Sequence, residues 1–156
     1  MREVIIDIIE KGFYGSFTHR GTFDILDGIT HEQAQLKAAD GLFSSWELLY
    51  HIVYWQGLIL EAVNADAMDW KKAMDEHWPS KDEEKENTWD VLVGRFKEGI
   101  EDATALLKKS ELTAPMKPLR DEPKLRAFVI LAQHNSYHLG QIVVNRKAND
   151  LWPYED

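Results

Sequence analysis

Ser45-Trp46-Glu47-Leu48-Leu49-Tyr50-His51-Ile52-Val53-Tyr54-Trp55 is the stretch whose reading decides the fold class. Wound into a helix it is apolar on nearly every side, and such a helix is stable only when other elements surround it. Ser44 or Ser45 has the hydroxyl to cap its first turn, and the apolar run continues to about Asn64. The expected place for this helix is the middle of a bundle. His51 stands out there, because an imidazole is costly to bury without a partner.

On the N-terminal side, Val4, Ile5, Ile8 and Ile9 line one face of a first helix, which Gly12 and Gly15 interrupt. Residues 13–22 read as a loop, followed by a short helical stretch around Phe23, Ile25 and Leu26 that stops at Gly28. Thr30-His31-Glu32-Gln33 has the spacing of a capping box and opens another short helix. On the C-terminal side, Ser80-Lys81-Asp82-Glu83 is a second such box. The helix it is expected to start keeps Trp89, Leu92, Val93, Phe96, Ile100, Ala103 and Leu107 on one stripe and ends near Lys109. Pro115, Pro118 and Pro123 mark a connection. A last helix is then expected from about Glu122 to Lys147, capped by Asp121, with Pro123 tolerated in its first turn.

Four long helices, short helical insertions and no convincing alternating strand define an all-α fold, a four-helix bundle. Residues 1–156 read as a single helical domain. The long connections over residues 13–44 and 110–121 argue against a plain up-down-up-down order.

A chain of 156 residues is long enough for a real core, and 44% hydrophobic with 29% charged residues is ordinary for a globular protein. No apolar run approaches the roughly 18 residues needed to span a bilayer. The segment Met1-Arg2-Glu3-Val4-Ile5-Ile6-Asp7 has acids inside its apolar stretch and no signal-peptide pattern, so the expected compartment is the cytoplasm, without membrane partners. The chain has no cysteine, which excludes disulfides, thiolate ligands and a cysteine nucleophile. A net charge of −9 with scattered cations opposes nucleic acid as a partner. Lys108-Lys109 complements the dipole at a helix C-terminus instead.

The last helix carries Gln133-His134-Asn135-Ser136-Tyr137-His138-Leu139-Gly140-Gln141. His134 and His138 are four residues apart, hence stacked on one face with Cβ atoms roughly 6 Å apart. Taken alone, His51 is most simply a core histidine satisfied by a neighbour such as Glu47. Taken with the His-x3-His pair in a cysteine-free bundle, it points to a metal shared between facing helices. The metal ligands are therefore expected to be His51, His134 and His138. Three imidazoles with a fourth position open is the pattern of a catalytic site, able to lower the pKa of water or to polarise a thiol or carbonyl. Imidazole suits zinc, nickel, iron or copper, and the donors alone do not choose among them; the expected ion is zinc or nickel, with iron or manganese as other options. Glu47 and Gln141 lie on ligand-bearing faces and are the candidates for catalytic or supporting groups. His19, His31 and His77 read as exposed, although His19 and Arg20 reach the site if their loop folds over it. Glu-x-x-His, His-Glu-x-x-His and glycine-rich phosphate loops are all missing, and Ser136 points away from both neighbouring histidines on a helix.

At these residues the sequence resembles the DinB/YfiT-like superfamily. Ser44 to Trp55 resembles that family's S-x-x-E-L-x-x-H-I-x-x-W helix, and His134 to Ile142 its H-x-x-x-H-x-G-Q signature. Asp27-Gly28-Ile29-Thr30-His31-Glu32-Gln33-Ala34 and Trp152-Pro153 are similar to further family segments, whereas residues 66–78 have no counterpart in it. The resemblance implies a four-helix bundle with a metal on His51, His134 and His138, and a homodimer. It also implies a small-molecule substrate and an enzyme using a low-molecular-weight thiol, such as a bacillithiol-type S-transferase. Arg20, Arg126 or Arg146 are then the candidates for holding the thiol's carboxylates. The alternative is a non-catalytic metal- or ligand-binding bundle on the same scaffold.

Overall fold

The long helices are α1 (Arg2–Tyr14), α4 (Ser45–Ala62), α6 (Trp89–Lys109) and α7 (Leu125–Ala148). Between them lie α2 (Thr22–Leu26), α3 (His31–Ala34) and α5 (Trp70–Glu76), and a two-residue antiparallel ladder pairs β1 (Pro115–Met116) with β2 (Glu122–Pro123). This computed structural model describes residues 1–15 and 19–153. The expected loop over residues 13–22 therefore falls partly outside the described residues. The all-α expectation holds.

α4 starts where its sequence says it should. Ser44 Oγ accepts from the Glu47 amide at 3.1 Å while the Glu47 carboxylate accepts from the Ser44 amide at 2.6 Å. This reciprocal pair satisfies two of the orphan donors at the helix start. α4 packs most closely on α7 and α6, while α1 packs on α7 and, less, on α6. The helices that follow one another as α1 and α4, or as α6 and α7, thus stand across a diagonal rather than side by side. The long connections are needed for those crossings. Leu49 and Ile52 of α4, Phe96 and Ile100 of α6, Phe128 and Leu131 of α7, and Phe13 of α1 meet in the centre, all fully buried.

One polar strut crosses this core. Gln56 of α4 donates to the Phe96 carbonyl of α6 at 3.0 Å and accepts from Asn135 of α7 at 3.3 Å. Its room comes from Gly99, where a Cβ would stand 1.6 Å from Gln56 Nε2. Asn135 follows His134 in sequence, so the strut ties the histidine-bearing stretch of α7 to two other helices.

Several expected boundaries moved. α1 runs through Gly12 and ends at Gly15, whose φ of 77° is the left-handed conformation glycine takes at little cost. α4 ends at Ala62 rather than Asn64. The box at Ser80 opens only a 3-10 turn, Glu83–Lys85. The chain then breaks because Asn87 is used elsewhere: its carbonyl accepts from Trp46 Nε1 at 2.6 Å and its side chain bonds back to the Glu83 carbonyl. α6 therefore begins at Trp89, whose amide is capped by His31 Nδ1 at 3.2 Å. The last helix begins at Leu125, not Glu122. Arg120 and Asp121, with φ of 55° and 60°, turn the chain so that residues 122–123 pair as a strand.

Candidate metal centre

His51 lies in the seventh position of α4, facing α7 at the height where His134 and His138 emerge one turn apart. The three ring centroids stand 5.0 Å (51–134), 4.6 Å (51–138) and 4.6 Å (134–138) from one another. One ligating atom from each residue lies within 4.8 Å of the others. His51 Nε2 faces His134 Nε2 at 3.2 Å. The sequence's pairing of one histidine from the apolar helix with two from the last is thus realised in space.

Two of the three rings are each oriented by a distinct device. His51 Nδ1–H donates to the backbone carbonyl of His77 at 3.1 Å, which leaves the lone pair on Nε2. His138 Nδ1–H donates to Gln141 Oε1 at 2.6 Å, with the same consequence for its Nε2. His134 Nδ1 is buried with no hydrogen-bond partner among the described residues. A carbonyl or amide oxygen on the far nitrogen is the arrangement that fixes tautomer and direction in metal-binding histidines.

The residues fit a metal ion. Two bonds of about 2.0–2.1 Å at a tetrahedral angle separate their nitrogens by roughly 3.3 Å, close to the 3.2 Å between His51 and His134. Imidazole must be neutral to ligate, and burial favours that form in all three rings. Burial pushes both His51 and His134 down from 6.5 to about 4, with the neighbouring histidines adding to the shift. Burial also lowers His138. Three neutral nitrogen donors without a carboxylate or thiolate among them make a site for a divalent ion that favours imidazole.

Residues 66–78 supply what the sequence did not reveal. α5 and the turn after it bring the His77 carbonyl onto His51 and stack Trp78 on the His51 ring, centroids 4.1 Å apart and planes 13° apart. Phe43 stacks on the other face of Trp78 at 3.7 Å. His77, expected to be exposed, is half-buried, and its Nδ1 accepts from Trp55 Nε1 at 3.2 Å. The only signal for this was the aromatic content of the segment, which names no partner.

The other candidates separate. Gln141 contacts His138 directly, whereas the Glu47 carboxylate is engaged by the Ser44 amide and by Lys37 at 2.9 Å. Arg146 is buried and donates to the Ile25 and Leu151 carbonyls, eight residues beyond His138, or about 12 Å along α7. Arg20 stands beside Trp152 in that same region, and His19 Nδ1 bonds the Arg20 carbonyl. Arg126 differs from both. It lines a cavity of about 650 Å³ that also takes in His134, Trp55, Trp70 and Ile130.

The DinB superfamily matches residues 16–142 of the chain, a span that contains all three histidines. No curated protein and no solved structure matches it significantly. The chain belongs to the DinB superfamily.

Proposed function

We propose that this DinB superfamily member is a divalent-metal-dependent enzyme that transfers an electrophilic group to the sulfur of a low-molecular-weight thiol of the bacillithiol type. The observation that carries the reading is the convergence of three neutral imidazoles, His51, His134 and His138, beside a cavity large enough for a small substrate. Three protein nitrogens leave a place for a fourth ligand. Zinc or nickel, both suited to imidazole donors, would hold a thiol there as thiolate at neutral pH.

The chain's own residues do the rest. The His77 carbonyl and Gln141 hold two rings in the ligating tautomer. Trp78 and Phe43 cover His51 and keep water from its outer face. The Gln56–Asn135 strut keeps α4 and α7 in register, so that the ligands stay converged. Glu47, bound within its own helix cap, takes no part in this scheme, and Gln141 acts through His138. The assembly we propose is a homodimer with its substrates drawn from small molecules.

The test is turnover of monochlorobimane with bacillithiol and with other cellular thiols, before and after chelation. Metal-dependent thioether formation is the expected result. No turnover with any thiol, in protein that nevertheless retains metal, would leave a non-catalytic metal-binding bundle. That second reading draws on one observation: among the described residues, no carboxylate joins the three histidines to act as a base.

A further inference from the structure

Arg126, Ile130 and His134 succeed one another at four-residue intervals on α7. One helix face therefore carries a cation, an apolar wall and a nitrogen ligand, in that order, over about 12 Å. α4 runs alongside in the opposite sense, with His51, Trp55 and Ile59 at the same spacing. Between them lies the cavity of about 650 Å³, closed on a third side by Trp70, whose Nε1 is fixed on the Pro118 carbonyl at 2.9 Å. Its walls are mainly apolar. Its charged lining residues are Arg120, Glu122 and Arg126.

Those charges do not cancel. Glu122 pairs with Arg126 through Nε alone, at 3.4 Å. Arg120 has no hydrogen bond or ion pair from its side chain among the described residues, and its φ of 55° holds it in a conformation unusual for a residue with a side chain. Two guanidinium groups against one carboxylate leave a net positive rim on a chain of net charge −9.

We propose that this cavity binds an apolar organic anion. Its aryl or alkyl body lies between Trp55, Trp70 and Ile130, its carboxylate is held by Arg126 and Arg120, and its opposite end reaches His134. This names the class of the second substrate and rests on the metal-enzyme reading for placing the reacting end at the histidines. A thiol bearing sugar or peptide groups does not suit the cavity, because its hydroxyls and amides would be stranded against hydrocarbon walls. A guanidinium, by contrast, recognises a carboxylate in planar, two-pronged fashion.

The test uses the full chain, zinc-loaded and chelator-treated, titrated calorimetrically with octanoate and with octanamide, which has the same tail without the charge. Octanoate is expected to bind at least about tenfold more tightly than octanamide. Arg126→Gln and Arg120→Gln, both at exposed positions, are each expected to weaken octanoate about tenfold and leave octanamide unchanged. These differences should survive chelation, since the anchor is the arginine pair. Equal affinity for the two probes, or no binding of either at millimolar concentration, would overturn the proposal. So would octanoate binding that vanishes on chelation yet ignores the arginine variants, since the carboxylate would then be on the metal. Failure of the metal-enzyme reading would look different: no metal and no thiol turnover, with arginine-dependent octanoate binding intact.

Discussion

Gln141 holds His138 by one short hydrogen bond, 2.6 Å from Nδ1 to Oε1. Partners of this kind are commonly worth a factor of 10 to 100 in metal affinity, because they fix the tautomer and direction of the ring. Gln141→Ala is expected to weaken zinc binding by about that factor, measured by competition with a chromophoric chelator, with little change in folding. The histidines also set a pH dependence. Burial holds His51 and His134 near 4 in the folded chain, against 6.5 when exposed. The unfolded chain therefore binds more protons between those values, and the metal-free fold loses stability as pH falls from about 6.5 through 4. Thermal melts of metal-free protein should show that decline, and His51→Gln should flatten it. A melting temperature as steep in the variant as in the parent would show that other groups are responsible.

At the scale of elements, some caps were legible. Thr30 begins a helix as its spacing requires, and of Ser44 and Ser45 it is Ser44 that caps α4, with both hydrogen bonds of the box in place in each. A cap is a local device, so sequence neighbours suffice to read it. Glu47 was also a candidate for chemistry because it lies one turn before His51. The structure uses its carboxylate to complete the cap and to pair with Lys37. Glu47→Ala should accordingly cost about 1 kcal/mol in urea unfolding and leave zinc stoichiometry untouched; lost metal would return Glu47 to the site. What stayed hidden was tertiary. Nothing near Ser80 announces that the Asn87 carbonyl is claimed by Trp46, 41 residues away. Nor does residue 78 reveal that it covers residue 51. The ladder between β1 and β2 is two residues long and depends on left-handed backbone at Arg120 and Asp121, residue types that rarely declare such a turn.

For the whole molecule, the apolar α4 foretold a bundle, and the His-x3-His pair on α7 foretold which helix would face it. The diagonal order was legible only as a disagreement with simple alternation, because long connections permit more than one crossing. No helix among the described residues is long and apolar enough to cross a membrane. The cavity was not legible at all. It arises where α4, α7 and residues 66–78 meet, and its charged rim combines Arg120, from the turn after β1, with Glu122 of β2 and Arg126 of α7. The bundle thus acts as a frame that brings donors from two helices to one point, while His77 and Trp78 cover that point.

The most direct measurement of that convergence is the metal content of untagged protein by inductively coupled plasma mass spectrometry, for the parent chain and for His51→Ala. The account predicts close to one divalent ion per chain in the parent and a near-complete loss in the variant, whose partner histidines remain on α7. A parent chain that carries no ion after incubation with zinc or nickel, or a variant that keeps its ion, would contradict it.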